Sequence, residues 1–350
     1  MSFEFKLMPR PFVRKQGDGV RCDLILKISP VLFFQESKML ITTILLFFHG
    51  KREKKMVNSD LNQYKTALEI FNTFVYDYDN FRGEQMAPYL DQNISIPLVT
   101  VLSYAILVVL LGQIVMSRLP AFTMSLTTKV WNFLLAGYSL IGAYYMIPYL
   151  WKHLNNEGLH VTVCNAGYAT WGNGRIGVFM ALFMWSKYVE LFDTVLLVLK
   201  KKDVIFLHWY HHITVLLFCW KAFSVLASGG IWFAALNYGI HSIMYSYYFL
   251  MCFDCTRPLV RPMASTVTLL QIVQMLAGTS IVVYQRWFSG PRNACRYDDE
   301  TNYYAIVMYA SYLVLFVLFF VNTYILRKKK ASSRGALTTH RIQGDEKKRS

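Results

Sequence analysis

The chain has 350 residues, of which 55% are hydrophobic, 16% aromatic and 16% charged, and its formal net charge at pH 7 is +15. Because a soluble globular domain is typically about 45–50% apolar and about 25% charged, this composition argues against a soluble protein and favours one that faces lipid. The positive charge does not point to nucleic acid, because the basic residues gather in short runs at the ends of apolar stretches, as they do beside membranes.

The first 93 residues contain no stretch that predicts a membrane span. Residues 39–48 are apolar, but a bilayer crossing needs about 20 residues, and no convincing signal-peptide cleavage site follows them. We expect 1–93 to be an amino-terminal extension, partly disordered and luminal, with Met56 as a candidate alternative start. Asn93 begins an Asn-x-Ser sequon and is the predicted glycosylation site.

Seven later stretches are long and apolar enough to cross a bilayer, and together they define a transmembrane domain at 94–326. Only a few residues join the third span to the fourth and the fourth to the fifth, so these three spans are expected to be antiparallel neighbours. The predicted fold class is an all-α membrane protein with seven transmembrane helices. The predicted spans are 95–117, 129–151, 176–199, 204–223, 230–252, 263–286 and 303–326.

Basic residues follow the third, fifth and seventh predicted spans, all on one side of the membrane. Positive residues mark the cytosolic side, so the amino terminus is expected in the lumen and the basic tail, 327–350, in the cytosol. The tail carries Lys347 and Lys348 at the positions of a dilysine-type signal, an address that predicts the endoplasmic reticulum membrane. The basic residues concerned are Lys200, Lys201, Lys202, Arg257, Arg261 and the run 327–330.

The six cysteines show no convincing metal pattern. Cys252 and Cys255 lie close together, but no second pair accompanies them, so a zinc site is not expected. Cys164 and Cys295 both fall in predicted luminal loops, where thiols can oxidise. We predict a disulfide between them that joins the loops after the second and sixth spans, with two free thiols as the alternative.

Four consecutive spans each carry one polar stripe. Ionisable residues inside a membrane are costly, so they indicate function by default, and residues three or four positions apart share one helix face. The simplest arrangement buries the stripes against each other and satisfies their hydrogen bonds. The stripes comprise Lys187, Glu190, Asp193 and Thr194 on span three, His208, His211 and His212 on span four, Asn237, His241, Tyr245 and Tyr248 on span five, and Thr268, Gln271 and Gln274 on span six.

Each stripe also has a purely structural interpretation. Lys187 and Glu190 could form a buried pair that only fixes helix register, Gln271 and Gln274 could only join neighbouring helices, and the tyrosines of span five could form an interfacial belt. His241 alone could be a packing residue. Three histidines within five membrane residues are harder to attribute to packing.

Clustered imidazoles support two chemistries. They bind iron or zinc, and an H-x-x-H-H box also occurs in membrane desaturases and hydroxylases, which use several such boxes. Only four histidines fall within predicted spans here, so no metal ligands are assigned, and a metal-dependent lipid oxidase is the alternative. A neutral imidazole can instead attack a thioester or act as a base. A transporter is a third class, although no inverted repeat is visible.

The four polar stripes resemble the ELO family of membrane fatty acid elongases. The resemblance covers about residues 94–330, and the stretches 206–215 and 237–241 are similar to the branch acting on saturated and monounsaturated chains. The matching motifs are Lys187-x-x-Glu190-x-x-Asp193-Thr194, His208-Trp-Tyr-His211-His212, the run Asn237 to Tyr248, and Thr268-x-x-Gln271-x-x-Gln274.

This resemblance implies a fold, a reaction and partners. The implied fold has seven transmembrane helices, six of which form an inverted barrel around an acyl tunnel. The implied reaction condenses acyl-CoA with malonyl-CoA to 3-ketoacyl-CoA, CO2 and CoA, with no cofactor beyond these substrates. Implied partners are the lipid bilayer and the 3-ketoacyl-CoA reductase, dehydratase and enoyl-CoA reductase of the cycle; a homodimer is also considered.

The resemblance also implies roles for individual residues. His211 attacks the thioester and carries the acyl group as an acyl-imidazole, with Cys219 as a rival nucleophile. His241, Asn237 and His208 stabilise the oxyanion or move protons, and the share of His212 stays open. The remaining site residues form two groups. Glu190 and Asp193 orient imidazoles or basic groups, Lys187, Gln271, Gln274, Tyr245 and Tyr248 support the site, and Lys200, Lys201, Lys202, Arg257 and Arg261 are candidates for the CoA phosphates.

Overall fold

A computed structural model of the chain describes residues 78–288, 295 and 298–326. These described residues form helices and connecting turns, with one isolated antiparallel bridge between Arg82 and Asn173 and no β-strand. Helices suit so apolar a chain, because a helix satisfies its backbone hydrogen bonds within one segment and needs no water. The predicted all-α class is therefore correct for this part of the chain. The candidate start at Met56, the tail 327–350 and its dilysine pair lie outside the described residues.

The main helices overlap the predicted spans, but the helix of the second span runs on to Cys164, well beyond its predicted end at residue 151. Two of them continue beyond their ends, since a π-helix at Leu110–Val115 and a short helix at Met116–Arg118 extend α2, and a π-helix at Val321–Leu326 extends α9. Turns at Arg257–Val260 and Arg261–Met263 lead into α8. The helices are α1 (Gly83–Gln92), α2 (Ser95–Val109), α3 (Ser125–Cys164), α4 (Gly174–Val189), α5 (Phe192–Leu199), α6 (Phe206–Ser224), α7 (Gly230–Met251), α8 (Ala264–Trp287) and α9 (Asp299–Phe320).

Four helical stretches of the described chain are long and apolar enough to cross a membrane by themselves. The other three predicted spans are helical as well. The third is divided between α4 and α5 by a turn at Glu190 and Leu191, while α6 and α7 carry histidines and other polar residues that lower their hydropathy. The count of seven spans and the inverted barrel therefore stay predictions. The four stretches are Ser95–Arg118, Ser125–Cys164, Arg257–Trp287 and Asp299–Leu326.

Helix α1 belongs to the folded body, although it precedes the predicted boundary at residue 94. Its buried residues include Met86 and Leu90, which lie one turn apart on a single face, as in an amphipathic helix. Trp220 of α6 donates its indole N–H to the carbonyl oxygen of Leu90 at 2.9 Å, and Phe81 is buried just ahead of the helix. The folded unit thus begins by residue 78.

Helix α6 is the most enclosed element of the bundle. From Tyr210 to Trp220 every residue except His211 is buried, and the helix packs against α1, α4 and α9. Beside it, α3 and α7 approach closely at Gly142, where an added Cβ would lie 2.3 Å from the ring of Tyr238. The histidine box therefore lies on the central helix of the fold.

The end of the bundle beyond α6 is held by a covalent link. Cys164, at the end of α3, forms the predicted disulfide with Cys295, which precedes α9. Beside it, the Gln285 side chain donates to the carbonyl oxygens of Val163 and Ser228 at 2.8 and 2.9 Å. We call these residues, with Asn302, the disulfide end.

Candidate active site

The three histidines of the box lie on the first two turns of α6. The ring centroids of His208 and His212 are 4.5 Å apart, and those of His211 and His212 are 5.5 Å apart. His211 also lies 5.0 Å from the ring of Tyr312 on α9. Because i, i+3 and i+4 side chains share a helix face, the box brings three imidazoles together without any tertiary contact.

A second polar group, which we call the lysine cluster, joins α4 to α7. Lys187 donates to Glu190 Oε1 at 2.8 Å and to Asn237 Oδ1 at 3.1 Å, and Ser186 donates to Glu190 Oε1 at 2.9 Å. Asn237 Nδ2 lies 3.1 Å from His241 Nε2. All five side chains are buried. Charges buried this far from solvent are stable only when paired. Here the Lys187–Glu190 pair is connected to His241 through the side-chain amide of Asn237.

The lysine cluster fixes the tautomer of His241. Because the ammonium of Lys187 can only donate, the oxygen of Asn237 must face it, and the amide nitrogen of Asn237 then donates to the ring. Nε2 of His241 is therefore the acceptor, and the ring proton lies on Nδ1. The geometry therefore supports a neutral His241 that carries its proton on Nδ1.

Four buried side-chain atoms have no hydrogen-bond partner among the described residues: the hydroxyls of Tyr188 and Tyr247 and, within the polar groups named above, Oε2 of Glu190 and Nδ1 of His212. Buried polar groups are almost always paired, and exceptions are concentrated where chemistry or an ordered water needs them. The open positions on Glu190 and His212 indicate a functional site rather than a packing device.

The hydrogen bonds of Asp193 come from neither an imidazole nor a basic group, and its orienting role stays a prediction. Its carboxylate accepts from Trp131 Nε1 at 2.6 Å and from the Tyr245 hydroxyl at 2.8 Å. It therefore fastens α5 to α3 and α7. Glu190 does bind a basic group, Lys187. Tyr248 is 41% exposed and contacts the rings of Tyr245 and its own neighbour in sequence.

A third polar group crosses from α2 to α6. The Tyr104 hydroxyl lies 2.6 Å from Thr194 Oγ1, which lies 2.9 Å from Nε2 of His208. Thr194 belongs to the polar stripe of the third span, but no role was predicted for it. Tyr104 was not predicted as a site residue. No sequence signal marks Tyr104, because one tyrosine in an apolar span is ordinary and its partner is 90 positions away.

The glutamine stripe on α8 contributes one residue to the interior. Gln274 is buried and lines the cavity described below. Gln271 is half-buried and donates to the sulfur of Met244 at 3.1 Å, a weak acceptor. Thr268 bonds to the Ala264 carbonyl oxygen at 3.1 Å. Only Gln274 is therefore placed where a ligand could contact it.

A narrow, mostly apolar cavity runs along α6. His211, Asn237 and Gln274 line one end of it, and the opposite end reaches Trp171 and Gly230. His211 is the residue of the enclosed stretch of α6 that is partly open, and this cavity accounts for the opening. Since a helix rises about 1.5 Å per residue, the wall from His211 to Ala222 is roughly 16 Å long. A narrow apolar space with polar groups at one end suits a linear alkyl chain with a reactive head.

The rival nucleophile Cys219 lines the same cavity, with a free thiol. It lies two turns beyond the histidine box, in the apolar part of the wall. Within the described residues no group of three or more His, Cys, Asp and Glu side chains is arranged to hold a metal ion. The polar end of the cavity, lined by His211, Asn237 and Gln274, therefore offers one imidazole and two amides.

The candidate CoA-binding lysines follow α5. Lys200 donates to the hydroxyl of Thr128 on the first turn of α3, and partial burial lowers its pKa. Lys201 and Lys202 are exposed. Two of the three ammonium groups are thus open to a ligand, while Lys200 also joins α5 to α3.

The candidate arginines follow α7. Arg257 pairs with Asp254 at 2.8 Å and donates Nε to the carbonyl oxygen of Met251 at 3.0 Å. Arg261 is exposed. Arg257 would have to exchange its present partners to hold a phosphate, whereas Arg261 would not.

The predicted glycosylation site follows α1. Asn93 is half-buried, and its side-chain amide donates to the Tyr89 carbonyl oxygen at 2.8 Å. Helix α2 begins at Ser95, only two residues later. A glycan attached to Nδ2 would leave that nitrogen a single N–H for this hydrogen bond, and glycosylation stays a prediction.

Comparison with known proteins gives one family and several relatives. The family described as ELO, GNS1/SUR4, matches residues 89–332. "Fatty acid elongase 3" of Trypanosoma brucei brucei (strain 927/4 GUTat10.1) is 38% identical over 277 residues, 73% of this chain and 92% of that protein. "Fatty acid elongase 3" of Trypanosoma cruzi (strain CL Brener) is 37% identical over 294 residues, 77% and 95% of the two chains. "Very long chain fatty acid elongase 6" of Mus musculus is 38% identical over 223 residues, 63% and 82% of the two chains.

Proposed function

The chain belongs to the ELO family, and from this premise we propose that it is the condensing enzyme of fatty acid elongation. It joins a long-chain acyl-CoA, saturated or monounsaturated, to malonyl-CoA and releases 3-ketoacyl-CoA, CO2 and CoA. The names of the similar proteins support elongation of fatty acids. The observation that carries the proposal is the position of His211, an imidazole that faces an apolar cavity at its polar end.

The first half of the reaction transfers the acyl group to His211. The neutral imidazole attacks the carbonyl carbon, the thioester C–S bond breaks, and the ring proton passes to the departing CoA thiolate. The alkyl chain lies along the apolar wall of α6. A covalent intermediate fits a cavity whose polar groups lie at one end, because the first CoA can leave before the second arrives.

The second half forms the carbon–carbon bond. Malonyl-CoA loses its carboxylate as CO2, and the resulting enolate carbon attacks the acyl-imidazole. His211 departs and takes up a proton. Negative charge develops on the acyl oxygen, and the Nδ1–H of His241 and the amide of Asn237 are the neighbouring donors. Lys187 adds a positive charge in a low-dielectric setting, where it acts strongly.

The wider setting follows from this chemistry. A fatty acyl-CoA substrate and a multi-pass membrane enzyme suit the endoplasmic reticulum membrane. Seven spans, six of them around the cavity, would place the lysines after α5 at its cytosolic mouth. The 3-ketoacyl product requires a reductase, a dehydratase and an enoyl reductase in turn. No cofactor beyond the two CoA esters is needed.

The first test is condensation in membranes that express the chain. Labelled malonyl-CoA and a ladder of acyl-CoAs should give 3-ketoacyl products, and His211→Ala should lower the rate by roughly 10³-fold or more, as for loss of a nucleophile. Without malonyl-CoA, a hydroxylamine-labile acyl adduct should form on the wild type and on Cys219→Ala. It should be absent from His211→Ala.

Two results would contradict the proposal. Full condensation by His211→Ala would remove the covalent role of this histidine, and an adduct lost only in Cys219→Ala would transfer that role to the thiol. A rate abolished by an iron chelator and restored by iron would support the lipid oxidase instead.

A further inference from the structure

Helix α2 contacts the rest of the protein along one narrow face. Leu102 is 63% exposed, whereas Val101 and Tyr104, three residues apart, are each only 5% exposed. These two pack with Ile213 and Leu216 of α6 in one apolar cluster. A helix that faces lipid on most sides therefore turns a single tyrosine inward, beside the helix that carries the histidine box.

The hydroxyl of that tyrosine ends a chain of hydrogen bonds. Tyr104 OH lies 2.6 Å from Thr194 Oγ1, and Thr194 Oγ1 lies 2.9 Å from Nε2 of His208. Thr194 is fully buried. The His208 ring then lies 4.5 Å from the ring of His212. This series of hydrogen bonds connects α2 to the histidine box through three side chains from three helices.

The number of available protons decides which group donates and which accepts in each of these hydrogen bonds. A hydroxyl carries one proton, and burying it unpaired is costly. Either hydroxyl could donate in the bond between Tyr104 and Thr194, and the buried proton of Tyr104 finds its acceptor there only if Tyr104 is the donor. Thr194 has already accepted there, and its own proton must go to Nε2 of His208. Nε2 is then an acceptor, and His208 is neutral with its proton on Nδ1.

We propose that Tyr104 is a positioning residue of the active site, which acts through Thr194 to hold His208 as the Nδ1–H tautomer. His241 receives the same tautomer from Asn237, so both histidines present Nδ1–H donors. Without Tyr104, the Thr194 hydroxyl could accept instead, and the His208 proton could move to Nε2. The inference rests on the proposed condensation, because it concerns the rate of that step.

The test measures condensation by the full-length chain in membranes, per folded protein. Thr194→Val removes the donor to His208, and kcat should fall roughly 100-fold, the lower range for a lost acid–base group. Tyr104→Phe frees the tautomer and should lower kcat roughly tenfold, as expected for one hydrogen bond. The KM for both CoA esters should not change, and Thr194→Ser, which keeps the hydroxyl, should restore the rate.

The matched control is Tyr188→Phe. Tyr188 packs in the same apolar cluster, and its buried hydroxyl has no hydrogen-bond partner among the described residues. Its loss should leave kcat unchanged. Equal kcat for Tyr104→Phe and Tyr188→Phe, or a Thr194→Ser no faster than Thr194→Val, would overturn the inference. A wild type that does not condense would instead overturn the proposed function.

Discussion

The two ends of the bundle use buried polar side chains differently. At the disulfide end, Gln285 donates to the carbonyl oxygens of Val163 and Ser228, and Asn302 donates to Val282 O at 3.2 Å and to Gln285 Oε1 at 3.1 Å. These are uncharged amides, and three of the four bonds end on backbone carbonyl oxygens, of which that of Val163 lies in the last turn of α3 and is left open by the helix end. Every one of these bonds therefore serves to hold helices in place.

At the opposite end of α6, the polar groups are ionisable and bond to each other. Lys187, Glu190, Asn237 and His241 form a chain of side chains, and the region retains unpaired atoms on Glu190 and His212. A purely structural network would be fully satisfied. The contrast indicates that polarity at the disulfide end stabilises the fold, whereas polarity at the histidine end is kept for chemistry.

The largest loss of stability should come from breaking the buried ion pair. Lys187→Met leaves the Glu190 carboxylate uncompensated at 3% exposure, which should lower the free energy of unfolding by about 3–5 kcal/mol. Condensation should fall by roughly 100-fold or more, because Asn237 loses the donor that orients it. Thermal unfolding in detergent and the malonyl-CoA assay measure the two losses separately.

The double variant Lys187→Met/Glu190→Leu sharpens the comparison. Replacing both charges by apolar groups should recover most of the stability, but the rate should stay low, because the donor chain to His241 is gone. A stable double variant that condensed at the wild-type rate would show that the pair only fixes helix register. The histidine end would then resemble the disulfide end.

Local patterns in the sequence predicted much of this arrangement. Each of the seven apolar stretches is helical, and the spacing of Lys187 and Glu190 correctly indicated a shared face. The disulfide between Cys164 and Cys295 was predicted from one assignment of sidedness that placed both cysteines in luminal loops, although Cys164 is the last residue of α3. Patterns of this kind depend on helix periodicity and on charge, both of which are local.

The contacts that the sequence did not predict are long-range. Asp193 bonds to Trp131, 62 positions away, and nothing in either helix identifies the partner. The same holds for Tyr104. Helix α1 was missed for another reason: at 10 residues it is too short to span, and its amphipathic spacing is informative only once a buried surface is known to face it.

Another prediction tests the disulfide end. Cys164→Ser/Cys295→Ser opens a link across 131 positions and should lower the free energy of unfolding by about 2–4 kcal/mol. Condensation per folded protein should not change, because neither cysteine reaches the cavity. Cys255→Ser, which removes an exposed free thiol, is the control and should change neither quantity. A folded double variant that lost activity would show that this end also sets the geometry of the site.

The smallest loss of stability should come from Gln285→Leu, which removes one side-chain amide and leaves the disulfide between Cys164 and Cys295 intact. Two carbonyl oxygens lose a donor, and the amide of Asn302 loses one of its acceptors, so the free energy of unfolding should fall by about 1–3 kcal/mol. Gln271→Leu is the matched comparison. Among the described residues the amide of Gln271 donates to the sulfur of Met244, at 3.1 Å, and the loss of this weaker bond should cost less stability. If Gln271→Leu destabilised the protein more than Gln285→Leu, the assignment of structural polarity to the disulfide end would be wrong. A fall in the condensation rate of folded Gln285→Leu would contradict it as well, because this side chain bonds only to groups that hold the helices together.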